Sequence, residues 1–216
     1  MNLLIIQARC GSSRLQNKVF LELNNEPLLL KIYNKCKKTI NIDKIVIATS
    51  TNIEDNKIYE FCNINNIDCY RGDERDLINR YYYLSKLLNA KNIIRITSDC
   101  PYIDIKKLND MIDKFKNEKI DYMYNTDENN SNYIYPEGSD IEICNFKTLE
   151  YLMYNEKEIR EHSIGVLRLK KNEYKKNFKI KFYDFELNKL SLKNNFNGIH
   201  LSIDNKNDYE LSKFIH

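Results

Sequence analysis

Hydrophobic positions in the first part of the chain follow two alternating patterns. Short apolar or β-branched runs, typical of buried strands, alternate with stretches in which apolar residues recur every three or four positions, typical of amphipathic helices. The strand-like runs cover residues 3–8, 44–49, 68–71 and 92–97. The helix-like stretches cover residues 28–38, 54–65, 76–88 and 105–116. Strands that alternate with helices predict an α/β fold with a mostly parallel sheet covered on both faces.

The second half of the chain has a less regular pattern. Strands are predicted at residues 133–135 and 140–144, on either side of the turn signal Pro136-Glu137-Gly138. The remaining predicted elements are helices at 146–154, 156–169 and 207–215, and strands at 178–185 and 199–203. Because no repeat, low-complexity stretch or linker divides the chain, we expect a single domain over residues 1–216.

Composition and charge exclude several classes of protein. The formal charge of +3 and the scattered basic residues argue against nucleic-acid binding. Six cysteines without a Cys-x-x-Cys pair, and only three histidines, argue against a zinc site. The first residues lack the basic region of a signal peptide, and no stretch approaches the roughly 20 apolar residues that span a bilayer. We therefore expect a cytoplasmic protein that does not bind a membrane.

A polar loop rich in cations follows the first predicted strand. In open α/β sheets, ligands bind beyond the carboxyl ends of the strands, and a loop with glycine and serine can turn backbone N–H groups toward phosphate. Three cations in one such loop suit a triphosphate. The loop matches neither the Walker A nor the dinucleotide-binding pattern, and a solvated surface loop is the alternative. Its sequence is Gln7-Ala8-Arg9-Cys10-Gly11-Ser12-Ser13-Arg14-Leu15-Gln16-Asn17-Lys18.

Two aspartates follow predicted strands and are candidate metal ligands. Asp99 comes just after the strand at 92–97, and Asp204 follows the strand at 199–203. Magnesium in phosphate-transferring sites uses one or two carboxylates and substrate oxygens. The alternative is that each carboxylate caps a helix. Asp104 and Asp208 are better placed for that role, at the starts of the helices predicted near 105 and 207.

Several ordered motifs together resemble one enzyme family. The loop pattern Gln-Ala-Arg-x-Gly-Ser-Ser-Arg-Leu-x-x-Lys resembles the spore-coat polysaccharide cytidylyltransferases and, more distantly, the synthetases of CMP-3-deoxy-manno-octulosonate and CMP-sialic acid. The resemblance continues through residues 47–52, 71–82, 95–101, 125–126, 135–142, 160–162 and 201–204. It implies a three-layer, Rossmann-like α/β fold of the nucleotide-diphospho-sugar transferase type, like A-type glycosyltransferases, with a mixed sheet. Residues 1–125 would form the nucleotide-binding half, and residues 126–216 the acceptor-binding or oligomer part.

The same resemblance implies a reaction and a set of site residues. The protein would transfer CMP from CTP to an acidic or phosphorylated sugar-like acceptor with Mg²⁺, releasing pyrophosphate, and would form a homodimer. The implied catalytic residues are Lys18, Arg14 and Asp99, and the implied metal ligands are Asp99 and Asp204. The implied nucleotide-binding residues are Ala8, Arg9, Gly11, Ser12, Ser13, Arg14, Lys18, Arg71, Arg80 and Thr97. The implied acceptor-binding residues are Asn125, Glu142, Arg160 and His162.

The chain departs from the family pattern at several places, and two of them concern the loop lysine and the acceptor side. Gln16-Asn17 stands where the family has Pro-Gly before the loop lysine, although asparagine can adopt the left-handed conformation of a glycine. Ser163-Ile164-Gly165 follows His162 where the family has Thr-Pro-Tyr, so the acceptor can differ from that of close relatives.

Three other functions fit the sequence. The enzyme could use another nucleoside triphosphate, because the base pocket cannot be identified from sequence. A nucleotide-sugar-dependent glycosyltransferase of the same fold would be expected to carry an Asp-x-Asp triplet, and the chain has none. A nucleotide-binding regulatory or scaffold subunit is the non-enzymatic alternative, since a fold does not guarantee activity.

Overall fold

The computed structural model describes residues 1–12, 14–126, 138–183 and 201–215. Three of the sequence predictions therefore lie outside the described residues: Ser13 as a nucleotide ligand, the strand at 133–135, and the first two residues of the turn signal at 136–138. The predicted strands at 178–185 and 199–203 are described only in part.

A seven-stranded mixed sheet forms the centre of the molecule. Its strand order is β5-β4-β1-β6-β8-β7-β9, with β2 and β3 as a separate hairpin. The strands are β1 (Asn2–Gln7), β2 (Glu22–Leu23), β3 (Glu26–Pro27), β4 (Lys44–Ser50), β5 (Cys69–Gly72), β6 (Asn92–Thr97), β7 (Tyr122–Tyr124), β8 (Glu142–Asn145) and β9 (Ile180–Phe182). Strand β1 pairs in parallel with both β4 and β6, and only β8 runs antiparallel to its neighbours within the sheet. The predicted mostly parallel mixed sheet is confirmed.

Helices cover both faces of this sheet. They are α1 (Leu28–Cys36), α2 (Asn56–Ile64), α3 (Leu77–Leu87), α4 (Ile105–Asn117), α5 (Phe146–Asn155), α6 (Val166–Leu169), α7 (Lys171–Tyr174) and α8 (Lys206–Ile215). Side chains of α1, α2 and α4 pack on one face with Leu4 and Ile6, and side chains of α3, α5, α6 and α7 pack on the other with Leu3 and Ile5. Successive strand residues point to opposite faces, so the apolar run of β1 supplies both cores. None of the described helices is long and apolar enough to cross a membrane.

Polar side chains fix where several helices begin. The carboxylate of Asp104 accepts the N–H groups of Lys106 and Lys107, which confirms its predicted role as the cap of α4. Asp76 caps α3 by accepting the N–H of Asn79, and Asn145 caps α5. Asp76 and Asp104 thus fix the starts of helices at the carboxyl edge of the sheet, whereas Asn145 lies at the opposite edge, where it pairs with Asn92 at the start of β6.

Three secondary-structure predictions in the second half need correction. The helix predicted at 156–169 is wrong in its first part, because Glu156 Oε1 accepts the N–H groups of Glu158 and Ile159 and so closes a local turn. Ser163 has a left-handed φ of 54°, which is incompatible with a continuous helix. Residues 201–203 are not in a strand, and Tyr183 lies beyond the end of β9. Strand β7 was not expected.

Candidate active site

The loop after β1 is held in place by a buried carboxylate. Asp55 is 3% exposed, and its Oδ1 accepts the N–H of Cys10 at 2.7 Å. Its Oδ2 accepts the N–H and the hydroxyl of Ser50 at the end of β4. The loop also closes on itself, since the carbonyl of Cys10 accepts the N–H of Ser12 and of Asn17. Asp55 thus ties the loop to the neighbouring strand, a role that sequence analysis missed.

Asn17 ends the loop in the left-handed conformation, with φ of 53° and ψ of 27°. Asparagine tolerates this region far better than most residues. The conformation that a glycine would supply is therefore retained here. It leads directly into the 3₁₀ turn Lys18–Phe20, which turns the Lys18 side chain inward.

Lys18 joins the two predicted strand-end aspartates. Its Nζ lies 2.6 Å from Oδ2 of Asp99, 3.4 Å from Oδ1 of Asp204 and 3.2 Å from the carbonyl oxygen of Ile203. Nη2 of Arg14 lies 3.3 Å from the same Asp204 oxygen. Burial by itself would raise the pKa of Asp99, but the charge and hydrogen bond of Lys18 outweigh it, so this pKa lies below its usual value. The site is thus a cluster of two carboxylates and two basic side chains.

The backbone around Asp204 is fastened from both sides. The N–H of Ile203 donates to the carbonyl of Asp99, which connects the two aspartate segments directly. Oδ2 of Asp208 accepts the N–H groups of Asp204 and Asn205, each at 2.9 Å. As predicted, Asp208 lies at the start of the last helix, in the first turn of α8, while Asn205 is the cap, because its Oδ1 accepts the N–H groups of Asn207 and Asp208. Asp208 also supports the Asp204 backbone.

A cavity of about 680 Å³ opens beside this cluster at the carboxyl edge of the sheet. Ligand pockets for nucleotide-sized molecules fall within this size range. Ten of the predicted site residues line it: Ala8, Arg9, Ser12, Arg14, Lys18, Arg80, Thr97, Asp99, His162 and Asp204. Within the described ranges, no group of three or more His, Cys, Asp or Glu side chains is placed to hold a metal ion.

Two predicted arginines are engaged elsewhere. Arg71 donates from Nε and Nη2 to the carbonyl oxygens of Ser50 and Asn52, and it does not line the cavity. Nε of Arg160 lies 2.7 Å from Oδ2 of Asp76, and its Nη1 donates to the carbonyl of Glu156. The structure therefore does not bring Arg160 to the cavity as an acceptor clamp. It connects the segment before His162 to the start of α3 instead.

Three further predicted residues lie outside the cavity lining. Asn125 is buried and bonds to the backbone of Ser139 and Ile141. Glu142 is 2% exposed and is paired with Arg95 and the hydroxyl of Tyr122. Gly11 belongs to the loop but also does not line the cavity. Of the predicted acceptor-side residues, the structure places only His162 on the cavity wall.

The cavity also has lining residues that sequence analysis did not single out. They are Gln7, Glu74, Arg75, Leu77, Arg95, Ser98 and Glu161. Arg95 could have been noticed in the sequence, because it is the one charged residue in β6. Glu161 and His162 reach the wall because Arg160 holds their segment against α3, where its carbonyl accepts the N–H of Leu77.

This chain is similar to known proteins both in sequence and in three-dimensional structure. The chain is 36% identical over 160 residues to the uncharacterized protein MJ1063 of Methanocaldococcus jannaschii, covering 73% of this chain and 63% of that protein. It is 32% identical over 126 residues to the spore coat polysaccharide biosynthesis protein SpsF of Bacillus subtilis, covering 56% of this chain and 52% of that protein. The matches therefore span less than two thirds of the length of these relatives.

Among solved structures, a cytidylyltransferase from Leptospira borgpetersenii serovar Hardjo-bovis superposes with a TM-score of 0.85 at 30% identity, covering 98% of this chain and 84% of that chain. A CMP:2-keto-3-deoxy-manno-octonic acid synthetase complexed with CTP has the same fold, with a TM-score of 0.68 at 13% identity over 99% and 97% of the two chains. The family model described as cytidylyltransferase matches residues 3–214. The chain belongs to the cytidylyltransferase family.

Proposed function

We propose that the protein transfers CMP from CTP to an acidic or phosphorylated sugar-like acceptor, releasing pyrophosphate, in the synthesis of a surface polysaccharide. The observation that carries the proposal is the contact of Lys18 with both Asp99 and Asp204 on the wall of a nucleotide-sized cavity. Family membership supports a cytidylyl donor. The spore coat relative supports a polysaccharide pathway, and the synthetase of similar fold, whose structure contains CTP, supports the nucleotide.

The loop supplies the groups that bind the triphosphate. Arg9, Arg14 and Lys18 line one side of the cavity, and their charges oppose that of a phosphate chain. Backbone N–H groups of a tight loop after a strand can add further hydrogen bonds to phosphate oxygens. In the proposed reaction an acceptor oxygen bonds to the α-phosphorus while the bond to pyrophosphate breaks. The cations stabilise the charge that develops on the phosphate oxygens.

The two aspartates fit a magnesium ion. Their carboxylates converge on a single ammonium group, so one small cation could contact both, and Mg²⁺ in such sites takes only one or two carboxylates besides phosphate oxygens and water. Asp99 and Asp204 would hold the ion. When bound, it supplies Lewis-acid polarisation of the phosphate oxygens. In the structure Lys18 contacts both carboxylates and holds them together beside the cavity.

We place the acceptor beside Glu161 and His162, which also line the cavity. His162 and Glu161 lie on a segment that Arg160 anchors to α3, and the His162 side chain is 54% exposed. A half-exposed imidazole can orient an acceptor hydroxyl or take its proton. A homodimer and a cytoplasmic location remain predictions from the sequence.

The test is a pyrophosphate-release screen. Purified protein with Mg²⁺ is incubated with CTP, UTP, GTP or ATP, each crossed with a library of sugar acids and sugar phosphates. We expect release with CTP and an anionic acceptor. Pyrophosphate release with another nucleotide would identify that nucleotide, and not CTP, as the donor. Nucleoside diphosphate release from a nucleotide sugar would instead indicate a glycosyltransferase. Binding of CTP without any turnover would favour a regulatory subunit.

A further inference from the structure

Arg95 is a partly buried cation on the cavity wall. It lies in β6 between Ile94 and Ile96, which pack into the core on the side of α1 and α4. Its own side chain points to the other face of the sheet, lines the cavity and is 17% exposed. A guanidinium is removed from water this far only at a large cost, unless it is paired and hydrogen-bonded. The charge of Arg95 is therefore stabilised in this position by its hydrogen-bond partners.

Three neighbours fix the orientation of this guanidinium. Nε donates to Oε1 of Gln7 at 3.2 Å, and Nη1 donates to Oε2 of Glu142. The hydroxyl of Tyr81 lies against Arg95 and donates to the same Gln7 oxygen. Glu142 cannot turn away easily, because it is 2% exposed and its other oxygen accepts the hydroxyl of Tyr122. The planar group is thus held before any ligand arrives.

These partners do not use all the hydrogen-bond donors of Arg95. The hydrogen bonds from Nε and Nη1 use only part of the guanidinium's N–H groups, and no other hydrogen bond from Arg95 to a described residue is seen. Arg80, the neighbouring cavity arginine, donates to the carbonyls of Asp73 and Glu74 and is only 2% exposed, whereas the Arg95 side chain is 17% exposed. Arg14 differs because its side chain is 67% exposed. Arg95 combines a fixed position with unused donors.

We infer that Arg95 determines acceptor specificity by binding an anionic oxygen group of the acceptor, a carboxylate or a phosphate. The inference rests on the proposed function, because it assigns the acceptor side of the same cavity. An oriented guanidinium binds such groups through parallel N–H bonds, which a lysine cannot reproduce. Glu142 keeps the cation in place and also reduces its net attraction for an anion.

The pairing of Arg95 with Glu142 predicts that two substitutions change the affinity for an anion in opposite directions. Arg95→Lys keeps a charge beside Glu142 but loses the planar donor fork, so anion binding weakens by about tenfold. Glu142→Gln keeps one acceptor oxygen for Arg95, and its amide nitrogen can donate to the Tyr122 hydroxyl, but it removes the competing charge, so anion binding tightens severalfold. A purely structural Arg95 would give no gain in Glu142→Gln. The double variant Arg95→Gln/Glu142→Gln leaves no unpaired buried charge and guards against misfolding.

Calorimetry separates this inference from the proposed function. CTP binding with Mg²⁺ is titrated first, and all variants are expected to stay within about threefold of wild type. With a non-hydrolysable CTP analogue bound, pyruvate, inorganic phosphate and neutral glycerol are then titrated as probes. We expect the wild type to bind one of the anions, and the anion that binds identifies the group as carboxylate or phosphate. We expect glycerol binding to be the same in all variants.

The outcomes of this experiment distinguish failure of the inference on Arg95 from failure of the proposed function. Weaker anion binding in Arg95→Lys and its loss in the double variant, with a gain in Glu142→Gln, support the inference. Equal anion binding in all variants, or no anion binding by wild type, overturns it while CTP binding leaves the proposed function intact. Absence of CTP binding by the wild type overturns the proposed function instead.

Discussion

The Lys18 ammonium lies 2.6 Å from the Asp99 carboxylate although 81 positions separate the two residues in the chain. Strands β1 and β6 are parallel neighbours, with Gln7 opposite Thr97, so the segments that follow them leave the sheet side by side. Lys18 then returns from the loop after β1 to meet Asp99 just beyond β6. The contact follows from the parallel pairing, and it lies at the carboxyl edge of the sheet, where we propose that the phosphate chemistry takes place.

Removing either member of this contact should abolish most of the activity. Lys18→Ala and Asp99→Ala should each lower turnover by about two orders of magnitude or more, as loss of one such electrostatic group typically does. Pyrophosphate release at saturating CTP and acceptor measures the effect. Lys44→Ala is the matched control, because its ion pair with Asp68 is largely solvated and away from the cavity. Near-normal turnover of Asp99→Ala would remove Asp99 from the proposed site.

Asp55 should affect nucleotide binding although it does not line the cavity. Asp55→Asn turns an amide donor toward groups that now donate to the carboxylate, namely the N–H of Cys10 and the N–H and hydroxyl of Ser50. We expect a loss of about 1–3 kcal/mol in unfolding free energy and roughly tenfold weaker CTP binding. Urea denaturation and calorimetry measure the two quantities.

Asp43→Asn provides the comparison for this variant. Asp43 also accepts a backbone N–H, that of Asn2, but at the other end of β1 and in an exposed position. The CTP affinity of the Asp43→Asn variant should equal that of the wild type. Equal affinities for the Asp55 and Asp43 variants would mean that the loop does not depend on its tether.

Asp208 should control the magnesium requirement through Asp204. Asp208→Ala frees the N–H groups of Asp204 and Asn205, so the Asp204 carboxylate loses its fixed position. Loss of a residue that orients a metal ligand typically lowers metal affinity by about 10–100-fold. The Mg²⁺ concentration for half-maximal pyrophosphate release should rise, with maximal turnover at saturating Mg²⁺ reduced much less. An unchanged Mg²⁺ dependence with reduced turnover would contradict this role.

Glu156 should make stability fall in acid. Burial by itself would raise its pKa, but hydrogen bonds from Tyr174, two backbone amides and Lys170 lower it to about 2, from 4.5 in the unfolded chain. A lowered carboxyl pKa contributes stability that is complete above about pH 4.5 and is lost as the pH falls toward 2. The contribution at pH 7 is at most about 3 kcal/mol.

Urea denaturation between pH 7 and pH 2.5 measures this loss. Glu156→Gln should be less stable at pH 7 and should show a shallower decline in acid than the wild type. Glu210→Gln is the control, since Glu210 is half-exposed in its pair with Lys213. Parallel declines for wild type and Glu156→Gln would show that Glu156 does not contribute to the acid sensitivity.

Some features of the site could be predicted from local sequence. The loop that ends in Lys18 and the carboxylate of Asp99 each follow a buried strand, and the carboxyl ends of adjacent parallel strands meet at one edge of a sheet. Asn17 could be expected to take the left-handed conformation because its chemistry permits it. Such features depend on residues close in the chain, so pattern and residue type were sufficient to predict them.

The sequence by itself determined the alternation of strands and helices, the cationic loop and the strand-end aspartates. Only the tertiary structure decided that Arg160 contacts Asp76 and not the cavity, and that Arg95 reaches the cavity wall while Glu142 is buried behind it. The reason is that the direction and exposure of these side chains are set by partners far away in the chain. A guanidinium takes the acceptors that packing places beside it, and no local pattern specifies them.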